Sequence, residues 1–174
     1  MKYHLSIILL AIRAMIIVVI GMALFQIFEA YTSYLHPKLF DSFAKERFAT
    51  LGKETDVHLY ALPYFFVLYA LLLGYLVYVL VHLYRSFNRL REGEVFYNKQ
   101  ATEFRRAGGG IIIFAKCKYL LFCIVGVYFF RGLTIFIKEI PMFLVVYLLG
   151  KLVLVLYYLA EKGTFLKEET DLTI

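Results

Sequence analysis

The chain has 174 residues, of which 62% are hydrophobic and 18% aromatic, and a mean hydropathy of +0.74. That is too apolar for a water-soluble domain, in which roughly half the residues are apolar. The formal charge is +6, but most basic residues adjoin apolar segments, so no basic face is left free in solution and no direct nucleic-acid contact is expected.

A bilayer-crossing helix needs about 20 mostly apolar residues, and four stretches qualify: 5–28, 57–84, 111–130 and 140–159. They occupy nearly the whole chain. The expected fold is all-α, an integral membrane four-helix bundle forming a single domain over 1–174, with 164–174 as a tail. The lipid bilayer is the first partner this implies.

The first apolar stretch carries Lys2 and Arg13 toward its N-terminal end, as a secretory leader does. No small-x-small site follows around Gln26, Phe28 and Glu29, so an uncleaved helix is expected. Arg13 lies near enough to the helix end for its side chain to reach the headgroups. The connection 29–56 holds Phe40, Phe43, Ala44, Phe48 and Leu51 at helical spacing, with charged residues between them. With Pro37 at the first position and His36 as cap, the pattern predicts an amphipathic helix over 37–51 that lies on the outer surface or caps the bundle.

The second stretch has Pro63 in its first turns, where a missing N–H costs little, and Tyr60, Tyr64 and Tyr84 toward its ends, as headgroup-seeking rings should be. His82 has no second His at helical spacing and reads as structural. The helical pattern continues past the apolar part to Arg91, with Gly93 as terminator. The connection 85–106 then holds Arg85, Arg89, Arg91, Lys99, Arg105 and Arg106 against Glu92, Glu94 and Glu103. Basic residues next to apolar spans resist translocation, so this connection and both termini are assigned to the cytoplasmic side. The same arginines are candidate contacts for an anionic lipid or a cytosolic protein.

Asn98 is the expected cap of the third helix. Gly108, Gly109 and Gly110 lack the preceding strand and following Lys-Ser/Thr of a phosphate-binding loop. Inside a membrane helix such residues mark close approach of a neighbour. Lys116 and Lys118 are expected to reach back to the cytoplasmic interface. Cys117 and Cys123 lie about 9 Å apart along one helix, beyond disulfide reach, and read as packing residues.

Pro141 is expected to end a short outer turn before the fourth helix. That helix holds Lys151 near mid-span, the candidate intramembrane polar site. Burial there admits a neutral amine, hydrogen bonds to Tyr hydroxyls or carbonyls inside the bundle, or an acidic ligand. No Asp or Glu occupies the four apolar stretches, so no intramembrane ion pair is legible. Nor are paired carboxylates, metal-ligand spacing or a nucleophile with its base; no enzyme, cofactor or metal is expected.

The chain ends Leu-Lys-Glu-Glu-Thr-Asp-Leu-Thr-Ile174. This ending, with Pro63-Tyr-Phe-Phe and Gly93-Glu-Val-Phe running to Phe104-Arg-Arg, resembles the bacterial membrane family catalogued as domain of unknown function 2975; Thr170 replaces the Asn usual in that family. The resemblance covers the chain from about Pro63 onward. It implies a bacterial inner-membrane protein of unestablished biochemistry, often encoded beside a small helix-turn-helix regulator.

Two functions from different classes follow. One is a regulatory or scaffold protein that engages a cytosolic partner through the basic connection and the tail, where Glu169, Asp171, Leu172 and Ile174 are the candidate contacts. The tail would add as a strand to a partner's sheet, or fold back so that Glu168, Glu169 and Asp171 face the arginines. The other is a bundle that binds or passes a lipid, quinone or small amphiphile using Lys151. Either is compatible with a monomer or with a subunit of an oligomer or larger complex.

Overall fold

The computed structural model describes residues 2–48, 59–92, 100–130 and 133–171, which contain helices and turns and no strand. Five α-helices follow in order: α1 (Lys2–Leu35), α2 (Asp41–Phe48), α3 (Leu62–Glu92), α4 (Gln100–Tyr128) and α5 (Ile135–Asp171). Short 3-10 turns at Pro37–Phe40 and Leu59–Ala61 lead into α2 and α3. Four helices, α1, α3, α4 and α5, are long and apolar enough to cross a membrane, and the chain is a multi-pass membrane protein.

These four helices alternate in direction. Arg13 of α1 meets Tyr84 late in α3, Phe87 of α3 meets Phe104 early in α4, and Gly126 late in α4 meets Ile135 at the start of α5. The main interfaces run α1 on α3, α3 on α4 and α4 on α5. One end of the bundle gathers the start of α1, the end of α3 with Arg85, Arg89 and Arg91, the start of α4 and the end of α5. We call it the arginine end.

Two cores hold the helices together. Toward the arginine end, Ile12, Val79, Leu83, Ala107, Ile111 and Ala160 bring all four long helices into one cluster. At the opposite end the core is aromatic. Phe48 of α2 is fully buried, stacked on Phe130 at 4.8 Å between centroids and edge-on to Phe65 at 5.4 Å. Burying such a ring is worth about 1.5–3 kcal/mol, so α2 caps the bundle as its spacing predicts. The Lys138 ammonium donates to the Glu46 carbonyl at 3.3 Å and ties α2 to α5. Pro37 occupies the first turn as expected, whereas His36 makes no side-chain cap bond.

The helices outrun the apolar stretches that announce them. α1 continues to Leu35, so Glu29 lies inside a helix, where its carboxylate accepts from Gln26 at 3.0 Å. α5 starts at Ile135, five residues before the expected boundary, and Pro141 sits within it instead of ending a turn. As the seventh residue of α5 it lies past the first turn, so its missing N–H removes one intrahelical hydrogen bond. At its other end α5 stays helical to Asp171. The expected extended or folded-back tail is therefore a continuation of the last helix as far as the structure describes it. Asn98 and Gly93, the expected cap and terminator, lie outside the described residues, as does the 49–51 end of the expected amphipathic helix.

Gly108 and Gly110 lie at close helix contacts, as the sequence predicts. A Cβ on Gly150 would stand 2.7 Å from Ile112 Cγ1 and 3.1 Å from the Gly108 carbonyl oxygen, and one on Gly108 would stand 3.0 Å from the Gly150 carbonyl oxygen. α4 and α5 thus touch backbone to backbone, the contact that small residues permit in membranes. Gly110 gives room to side chains of α3, with Val79 Cγ2 at 2.5 Å from where a Cβ would be. Gly109, between them, faces open space.

Candidate functional site

Three groups of polar side chains among the described residues bear on function: a buried ion pair, Lys151 on an outer face, and arginines toward one end of the bundle.

Lys118 does not reach back toward the arginine end. Its ammonium lies 3.7 Å from the Glu139 carboxylate of α5, and the two side chains are only 12% and 5% exposed. The ammonium also lies 5.4 Å from the centroid of the Phe122 ring. On α4, Lys118 is about 18 Å along the axis from Arg106 and about 15 Å from Tyr128, at 1.5 Å per residue, so its backbone is near mid-span. Glu139 is the fifth residue of α5 and lies inside the span. Intramembrane ionisable residues pair in this way because an isolated charge there costs several kcal/mol. The apolar stretches conceal the pair, since Glu139 falls one residue outside the fourth of them. Around it, Cys123 is buried and Cys117 partly buried; both are free thiols, as expected.

Lys151 is exposed on the surface of α5, and its ammonium lies 5.6 Å from the centroid of the Tyr147 ring. It lines neither of the two cavities between α3 and α4. The side chain lies along the Tyr147 ring face on an exposed side of α5.

Of the candidate arginines, Arg85 is exposed, Arg89 lies 3.6 Å from Glu103, and Arg91 donates to the Asn88 side-chain oxygen at 2.9 Å. Arg105 and Arg106 are exposed early in α4. The Arg105 guanidinium carbon lies 5.9 Å from the centroid of the Tyr157 ring, while Arg106 has no ion-pair partner among the described residues. Both line a cavity of about 460 Å³ between α3 and α4, together with Tyr78, His82, Gly109 and Ile113. Further along the same two helices a second, more apolar cavity of about 660 Å³ is lined by Tyr64, Leu68, Leu121 and Ile124 among others. Glu169 and Asp171 belong to the last turns of α5, and Leu172 and Ile174 lie outside the described residues.

Arg13 is held to α3, since its Nε donates to the Tyr84 hydroxyl at 2.7 Å. No group of three or more His, Cys, Asp or Glu residues among those described could hold a metal ion.

Compared with known proteins, residues 49–174 match the family model described as "Protein of unknown function (DUF2975)". No curated protein and no solved structure matches the chain.

Proposed function

The chain belongs to the DUF2975 family, whose function is unknown, and from that premise we propose that it is a non-enzymatic membrane protein with a regulatory or scaffolding role. In this reading the arginine end faces the cytoplasm of a bacterial cell, because the basic bias of 85–106 keeps that side from crossing the inner membrane. The partner is a cytosolic protein with an acidic surface. The family resemblance points to a small helix-turn-helix regulator as one such partner.

The observation that carries the proposal is the helical platform at the arginine end. α3 continues to Glu92 with Arg85 exposed, and α5 continues to Asp171 with Phe165 exposed. From Leu159 to Asp171 alone, α5 extends about 18 Å at 1.5 Å per residue. Helices that persist this far past their apolar parts give a soluble partner rigid surfaces to dock on, and cationic groups on them speed the encounter.

The test places a photo-crosslinking side chain at Arg85 or at Phe165 in living cells, with Tyr60 at the opposite end as control. One soluble protein should be captured at both platform positions and none at Tyr60. Truncation of 164–174 should reduce capture at Arg85. Labelling of Arg85→Cys by an impermeant thiol reagent added outside intact cells would place the platform on the wrong side and end the proposal. For the amphiphile-binding alternative, the α3/α4 groove offers a polar contact besides Lys151.

A further inference from the structure

The two cavities between α3 and α4 lie on one stripe. Leu68, Tyr75 and His82 recur at seven-residue intervals on α3, and Arg106, Ile113 and Leu120 on α4, so each set shares a face of its helix. Leu68, Ile113 and Leu120 are about half exposed along this stripe. Gly110 accommodates the Val79 side chain of α3, and Gly109 leaves the space beside it open. The result is an apolar groove with a floor of small residues.

Its polar end is distinctive. Arg105 and Arg106 stand at the mouth, with His82 and the ring of Tyr78, which meet edge-on at 4.6 Å, on the opposite wall. Glu103, the acidic residue nearest in sequence on α4, is engaged by Arg89. Arg105 leans on the ring of Tyr157, whose hydroxyl donates to Glu161, whereas Arg106 has no ion-pair partner among the described residues and offers its charge to an external anion. Depth matters equally. From Arg106 to Tyr128, α4 spans about 33 Å at 1.5 Å per residue, close to the roughly 30 Å hydrocarbon thickness. Arg105 and Arg106 thus sit at headgroup level, and the groove descends from them into the acyl region.

We infer that the α3/α4 groove is a binding site for an anionic phospholipid of the leaflet at the arginine end. The phosphate is held by Arg105 and Arg106, and an acyl chain lies over Gly109 and Ile113. A zwitterionic lipid carries no net charge to match the arginines, and a soluble phosphate compound would leave the apolar groove unused. Anionic headgroups are the membrane component that basic pockets between helices recognise.

The chain contains no Trp, so Ile113→Trp introduces a single emitter in the groove. The full chain is reconstituted in phosphatidylcholine vesicles containing a fixed minor fraction of brominated phosphatidylglycerol or brominated phosphatidylcholine. Quenching should favour the anionic lipid on the order of tenfold, as two basic residues at a membrane surface allow. Ile124→Trp in the second cavity, which has no arginine, should show no preference. Adding Arg105→Gln and Arg106→Gln to the Ile113→Trp protein should bring its quenching ratio to near one.

A diffuse cationic attraction would survive when the groove is filled, and a site would not. Gly109→Leu keeps both arginines and enters open space, so the fold tolerates it; it should abolish the preference. Equal quenching by the two lipids, a preference that persists in Gly109→Leu, or relief of quenching by soluble glycerol phosphate each overturns the inference.

Discussion

Glu139→Gln isolates the buried ion pair. The substitution keeps the shape of the side chain and removes the charge that faces the Lys118 ammonium at 3.7 Å. With side chains only 12% and 5% exposed, neither partner is well screened by solvent. Removing one member of a buried pair typically costs 3–5 kcal/mol, about what is expected here, because the remaining charge is left in a poor dielectric. One effect reduces the loss. The Phe122 ring, 5.4 Å from the ammonium, supplies a cation–π contact worth about 0.5–2 kcal/mol.

The converse substitution, Lys118→Met, leaves the buried carboxylate without its ammonium, so it should also destabilise. Replacing both, as Lys118→Met with Glu139→Leu, removes both charges and should recover most of the loss. Buried pairs exchanged for apolar residues are often neutral or better. The assay is reversible unfolding in bicelles or mild detergent, with the four proteins compared as a double-mutant cycle. A single-variant cost below about 1 kcal/mol, the range of an exposed pair, would refute the burial argument. So would a double variant no more stable than the worse single one.

Gly150→Leu pushes a side chain against the Ile112 amide and the Gly108 carbonyl, each 3.1 Å from its Cβ. Backbone cannot rotate aside, so overpacking of about 1–3 kcal/mol is expected, whereas Gly109→Ala should be neutral or stabilising by up to about 1 kcal/mol through helix propensity; opposite signs in thermal unfolding are the check. Phe48→Ala removes the ring that stacks on Phe130 and should destabilise by about 3–5 kcal/mol. Faster proteolysis of α2 with α4 and α5 intact is the expected pattern. Lys151→Met should leave stability in detergent unchanged within about 0.5 kcal/mol, the usual range for surface substitutions; a larger loss would mean that the ammonium has an interior role.

Apolar runs located the four long helices because hydropathy reads one dimension of a structure built from parallel rods. Helix ends were legible only where a residue stops the helix or the membrane. Ile135 and Leu35 do neither, so the helices run beyond the apolar windows and take Glu139 and Glu29 with them. The amphipathic pattern of Phe40, Phe43, Ala44 and Phe48 predicted α2 correctly, since one-sided spacing implies a one-sided contact. The partner of Lys118 was not legible. Its direction depends on the rotation of α4 against α5, which Gly108 and Gly150 fix by close contact and which no local pattern encodes. Lys151 illustrates the same limit: mid-span position is visible in the sequence, but the face of the helix is not.

The distinction between paired and unpaired charge orders the polar groups by function. Lys118 and Glu139 neutralise each other, and Arg89 is matched by Glu103, so these charges are explained by folding alone. Arg13 is secured by the Tyr84 hydroxyl. Lys151 lies against a ring face on an exposed side of α5. Arg106, like Arg85 and Lys116, is exposed with no ion-pair partner among the described residues, and it lines a cavity beside space that Gly109 keeps open. Folding gains nothing evident from an unmatched cation above an unfilled apolar groove, since each feature is tolerated only at some cost in stability. Their coincidence on one face of α3 and α4 is what a ligand with an anionic head and an apolar chain would require.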